Sequence, residues 1–185
     1  MRGLTAALAL ATVGALGPAT AYAAGAPDPA AATALPNGIY EGRFNNVADA
    51  PLGTPPILGS ARMLLQDPQP DAKPEAIKGT GVSVVVTGLD PNARYVAYVY
   101  NKPCADGEGG THFRYDPSGS TSPPNEIWLT QMTVSPKGTG VASTTNEKKP
   151  NSSAKSVVIH LKRAAGAESN DPTRPKLACA DLIRR

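Results

Sequence analysis

Proline and glycine interrupt this chain so often that no long helix can run through it. Nineteen prolines and eighteen glycines fall within 185 residues. Proline removes a backbone donor and glycine adds backbone entropy, so both tend to end regular elements. Between the breaks lie short runs of period-two alternation. Val82, Val84 and Val86 alternate with Ser83, Val85 and Thr87, a β-branched pattern that builds a strand with one strongly apolar face. Tyr95, Ala97 and Val99 alternate in the same way with Val96, Tyr98 and Tyr100. The spacing predicts strands over 59–65, 80–87, 93–101, 127–134, 140–144 and 156–161, with a short one over 178–183 and a weaker one over 38–44. Gly88-Leu89-Asp90-Pro91-Asn92 reads as a turn, and Ser135 to Gly140 as a hairpin connection. The expectation is an all-β domain with long loops and no internal repeat.

Residues 1–23 read as a secretory signal. Arg2 supplies the positive start, 4–16 an alanine-rich apolar stretch, and Ala21-Tyr22-Ala23 an A-x-A cleavage site. That stretch is too short and too weakly apolar to span a bilayer, and no other segment approaches the ~20 apolar residues required. The mature chain is therefore expected to begin at Ala24 as an exported protein, extracellular or in the cell envelope. Residues 24–36 form an Ala/Pro-rich flexible leader, and 37–185 one domain of ordinary size. The only cysteines are Cys104 and Cys179. An even pair in an oxidising compartment reads most economically as one disulfide; a metal site or a reactive thiol is the other use, and neither cysteine lies in a C-x-x-C.

The only two histidines, His112 and His160, sit near these cysteines in an informative order. Cys104-x7-His112-Phe113 is followed by Ser156-Val157-Val158-Ile159-His160 and then by Leu177-Ala178-Cys179. Gly88-Leu89-Asp90-Pro91 precedes them, and Gly110-Thr111-His112-Phe113-Arg114-Tyr115-Asp116-Pro117 surrounds the first histidine. This order resembles the copper/zinc superoxide dismutases, over roughly 59–183. There a Gly-Leu-x-Pro turn, a Gly-x-His-Phe-Asn-Pro loop and a Val-Val-x-His strand occur in the same sequence; here two residues are added before the proline. The resemblance implies an eight-stranded antiparallel Greek-key β-barrel or sandwich with one disulfide, Cys104–Cys179. It also implies His112 as the histidine that bridges two metals and His160 as a copper ligand.

The family's dinuclear centre takes six histidines and an aspartate, and two histidines cannot supply it. A gapless count from Gly88 places Ala97 and Val99 where the family has two copper-binding histidines, and neither carries a donor. The loop from Ser118 to Asn125 holds none of the zinc ligands, and His112, Asp116 and Glu126 are the only nominal trio nearby. Lys176 stands at the position of the family's substrate-guiding arginine, keeping charge but not the planar fork. Ala164 falls where an aspartate would link the two metal sites, and such partners orient metal-bound imidazoles. The expectation is an exported dismutase-like domain without dismutase activity and without a cofactor, acting as a non-catalytic binding or cell-surface module. The alternatives are a divergent copper-dependent superoxide dismutase, and a copper-buffering protein in which His112 and His160 hold the ion weakly without turnover.

Charge adds one partner class. Residues 24–147 hold 8 basic and 12 acidic groups, whereas 148–185 hold 9 basic and 3 acidic. The basic C-terminal part suits an anionic cell-surface polymer. Aromatics make up only 5% of residues, which with export argues against nucleic acid. The family's habit of pairing adds a homodimer to the expectations. Asn151-Ser152-Ser153 is a glycosylation sequon that depends on the host. Trp128, Tyr98 and Tyr100 lie in alternating runs and are expected in the core.

Overall fold

The computed structural model describes residues 33–67, 79–167 and 174–185. The predicted signal and residues 24–32 of the leader lie outside the described residues. The leader's last four residues are held by the domain. Ala34 forms a bridge with Asn151, and the Leu35 N–H donates to the Pro150 carbonyl at 2.9 Å. The Tyr40 hydroxyl donates to the Pro36 carbonyl at 3.0 Å.

The described residues contain no helix. The strands are β1 (Gly38–Arg43), β2 (Asn45–Asn46), β3 (Leu58–Gln66), β4 (Gly79–Thr87), β5 (Arg94–Tyr100), β6 (Trp128–Leu129), β7 (Thr133–Val134), β8 (Gly140–Asn146), β9 (Ser156–Arg163), β10 (Lys176–Asp181) and β11 (Ile183–Arg184). They form two antiparallel sheets, β11-β1-β3-β4-β8-β7 and β2-β10-β9-β5-β6. The all-β expectation holds. The two ladders do not close into a barrel, and there are eleven strands rather than eight.

The surplus has a physical origin. Three predicted strands each bend from one sheet to the other, as strands do at the corners of packed sheets. The run expected over 127–134 divides into β6 in one sheet and β7 in the other, with Thr130 to Met132 between. The run over 38–44 becomes β1 with Phe44 buried at the bend, and the chain continues past that run into β2 of the other sheet. The run over 178–183 divides at Leu182 into β10 and β11.

Period-two burial fills the space between the sheets. Val82 and Val84 of β4 lie beside their register partners Met63 and Ala61 of β3 on the inner face, with Val86 and Leu65 further along it, all fully buried, whereas Val85 on the outer face is 51% exposed. Full burial of each such aliphatic side chain is worth about 1.5–3 kcal/mol. The Ser135–Gly140 connection joins β7 to β8 as a hairpin, with the Gly138 N–H donating to Ser135 O at 2.9 Å. Gly138 has φ +76°, and a Cβ there would stand 2.4 Å from the Leu89 carbonyl oxygen. Only glycine fits that junction.

The five-stranded sheet differs in being buried on both faces. In β5, Tyr95, Ala97 and Val99 enter the inter-sheet core, while Val96, Tyr98 and Tyr100 join Val158, Cys179 and Val47 in a second cluster on the outer face. The segment after β5 lies over this face and is tied to β10 by the Cys104–Cys179 disulfide, whose Cα atoms are 5.8 Å apart. That cover builds the candidate site.

Candidate functional site

The outer face of β5 meets the covering segment at His112. His112 forms an isolated antiparallel bridge with Tyr100, and the adjacent Phe113 N–H donates to the Val99 carbonyl at 2.8 Å. Phe113 is fully buried in the inter-sheet core, so the alternation leaves His112 on the opposite side. His160 comes from β9, where it is the register partner of Val96 in β5 and of Lys176 in β10. The structure thus brings His112 and His160 together, with ring centroids 6.5 Å apart and rings nearly perpendicular.

Two tyrosines occupy the space around them. Tyr98 stacks on His112 with centroids 4.3 Å apart, and Tyr100 stacks on His160 at 5.8 Å. The side chains that share a face with the two histidines are therefore Tyr98 and Tyr100. Ala97 and Val99, placed there by the gapless count, point into the inter-sheet core. A slip of one residue in a strand exchanges its faces, and that is the correction required here.

Each imidazole is fixed by hydrogen bonds. His160 Nδ1 lies 2.6 Å from the Arg174 carbonyl oxygen, which can only accept, so Nδ1 carries the hydrogen. The Nε2 lone pair then accepts from the Tyr100 hydroxyl at 2.9 Å. Burial, the largest influence, pulls the His160 pKa down to about 4 against a smaller upward pull from the Arg174 carbonyl; His112, Lys176 and Arg174 add to the depression. Burial likewise pushes the Tyr100 hydroxyl well above the usual phenol range, helped by Tyr98 and Glu126. His112 Nδ1 contacts Glu126 Oε2 at 2.7 Å, and the Trp128 indole N–H donates to the same oxygen at 2.7 Å. Glu126 is only 3% exposed, and these two partners satisfy its buried oxygen.

The other candidates have structural surroundings. The Lys176 ammonium donates to the carbonyls of Gly107 (3.4 Å), Glu108 (3.1 Å) and Gly110 (3.2 Å) and lies 5.0 Å from the centre of the Tyr100 ring. Its three donors hold the covering loop. Asp116 stands apart from His112 and Glu126; its carboxylate accepts from the Ser118 N–H at 2.8 Å in an exposed turn. The nominal trio therefore does not assemble, and among the described residues no group of three His, Cys, Asp or Glu side chains could hold a metal ion. Ala164 sits in a turn closed by Ala167 N–H to Ala164 O at 3.2 Å. Arg174 supplies the carbonyl that orients His160, and its guanidinium donates to the Tyr98 hydroxyl at 3.2 Å.

Trp128 is half-buried at the edge of the second cluster, whereas Tyr98 and Tyr100 are buried as expected. Sequence reasoning named Glu126 only as a nominal metal ligand and missed its pairing with Trp128, because Glu126 lies just before the strand expected over 127–134. It also missed Arg174, because a backbone carbonyl leaves no signature in side-chain identity.

The buried neutral imidazole has a consequence for stability. The unfolded chain takes up a proton at His160 near pH 6.5, whereas the folded chain does so only near pH 4. Stability from this group is therefore complete above about pH 6.5 and declines as pH falls toward 4, by about 3 kcal/mol in all. Urea unfolding of wild type and His160→Gln at pH 7 and pH 4.5 should show the variant's dependence flatter by about 2 kcal/mol, the share of that loss falling in this window. Parallel profiles would show that His160 is not buried in the neutral form. Scanned against protein-family models and against curated proteins, the chain matches none of them.

Proposed function

We propose that this chain is an exported dismutase-like protein that has given up redox metal chemistry and serves as a non-catalytic binding or cell-surface module. The observation that carries the reading is the occupancy of the donor atoms. Both nitrogens of His160 are committed, one to the Arg174 carbonyl and one to the Tyr100 hydroxyl. The phenols beside it belong to a strand that has no histidine, and burial opposes the phenolate form that would bind a cation at Tyr100. Such a donor set does not fit a copper centre that must cycle between two oxidation states. The two sheets, with three chain segments passing from one to the other, support an eight-stranded Greek-key ancestor whose ladders have opened. The order of the His112, His160, Cys104 and Cys179 motifs supports the same ancestry.

The binding surface of such a module would be basic. Arg94 and Arg163 are register partners across β5 and β9 and place like charges opposite one another, an arrangement that an anionic cell-surface polymer would relieve. The decisive test is elemental analysis of the purified protein beside a superoxide-decay assay, with and without added copper. Less than one equivalent of copper and zinc, and no acceleration of superoxide decay, are expected. Activity that follows added copper and vanishes in His112→Ala would overturn the proposal.

A further inference from the structure

We propose that Tyr100 and His160 form a one-electron oxidation site. A small inorganic one-electron oxidant takes an electron from the Tyr100 ring while the phenolic proton passes along the existing hydrogen bond to His160 Nε2. The products are a neutral tyrosyl radical, an imidazolium and the reduced oxidant. The step breaks one O–H bond, forms one N–H bond and moves one electron out of the protein.

The geometry separates Tyr100 from the other described tyrosines. The Tyr40 hydroxyl donates to the Pro36 carbonyl and the Tyr115 hydroxyl to the Lys148 carbonyl, and an amide oxygen is a very weak base. The Tyr95 oxygen accepts from the Asp90 N–H and the Tyr98 oxygen from the Arg174 guanidinium. Among the described residues, Tyr100 alone aims its hydroxyl at a basic nitrogen, at 2.9 Å. The Arg174 carbonyl holds the acceptor tautomer in place before any electron leaves, so no rearrangement is needed.

The surroundings hold the proton back until oxidation occurs. The Arg174 carbonyl accepts the Nδ1 hydrogen and the phenol faces a bare Nε2 lone pair, so the resting pair is phenol and neutral imidazole. An oxidised phenol is a far stronger acid than any imidazolium, and the transfer then runs downhill. Tyr100 itself is only 3% exposed. The electron nevertheless has a short way out, because the His112 ring stands 5.0 Å away, is 31% exposed and stacks on Tyr98. Trp128 extends the same aromatic cluster at 5.6 Å from Tyr98. An exported protein with this arrangement would act as a sink for one-electron oxidants, independently of any ancestral metal site.

The test is oxidation of the purified protein by photogenerated tris(bipyridine)ruthenium(III), followed by rapid freezing and electron paramagnetic resonance. Wild type should give a tyrosyl signal that persists in Tyr98→Phe and is lost in Tyr100→Phe, a variant that removes one oxygen atom and keeps the ring. His160→Gln offers an acceptor that is not a base. It should slow radical formation about a hundredfold, the low end of what a positioned base contributes. Formation in wild type should also slow in deuterated water, a measurement that needs no variant. The same signal in Tyr100→Phe, or a rate indifferent to both deuterium and His160→Gln, would overturn the proposal.

Discussion

Replacing Cys104 and Cys179 together with serine is expected to lower the unfolding free energy by about 4.5 kcal/mol, the chain-entropy value for a cross-link closing a loop of this length. The two residues are 75 positions apart in sequence. The closed loop contains most of the covering segment, β6, β7, β8, β9 and the start of β10, so the bond removes more freedom from the unfolded chain than a local staple would. It also acts in the folded state. Cys104 anchors the segment whose Gly107, Glu108 and Gly110 carbonyls receive Lys176, and the Cys104 N–H donates to Asp181 Oδ1 at 2.7 Å. Guanidinium unfolding of the oxidised wild type against the double variant measures the difference. A loss under about 1 kcal/mol would mean that the cover holds its place without the tether, far below the usual cost of losing a native bridge.

Phe113→Ala should cost about 3–5 kcal/mol, the range for deleting a fully buried aromatic side chain. Phe113 is 0% exposed and meets Tyr115 edge-on with ring centroids 5.0 Å apart. It anchors the residue next to His112, so truncation removes both a core contact and the support of the candidate site. Urea midpoints give the size of the loss, and the slope of the transition checks that the unfolded state is unchanged. A change within 0.5 kcal/mol would place Phe113 at a position where the core collapses around the gap or where the ring is not buried at all.

The strands were legible because β-branched and aromatic residues alternate against an apolar core. Val82, Val84 and Val86 needed nothing beyond their spacing, and the hairpin at Ser135 to Gly140 needed only its proline and glycines. Sheet membership was less legible. Nothing in Thr130 to Met132 announces that the chain leaves one sheet for the other, because a bend of this kind depends on what lies across the core. The cysteine pair could be read from an even count and the expectation of export, and the structure forms it. The facing of β5 could not be read reliably. Both of its faces are apolar, so alternation distinguishes two sets of residues without saying which set meets the histidines. The gapless count from Gly88 settled on Ala97 and Val99, which pack on the face away from His112 and His160. Glu126 illustrates another limit, since a buried carboxylate is recognisable only once its two N–H partners, Trp128 and His112, stand beside it.

β6 and β7 contribute only two residues each, yet they form the outer margins of their respective sheets on the same side of the molecule. Few ladder bonds must break to lift either, so amide hydrogens in this margin should exchange with solvent well before those of β4 or β9. The opposite margins, β2 and β11, are equally short, so thermal breathing is concentrated at the outer rims of both sheets and the long inner strands stay comparatively quiet.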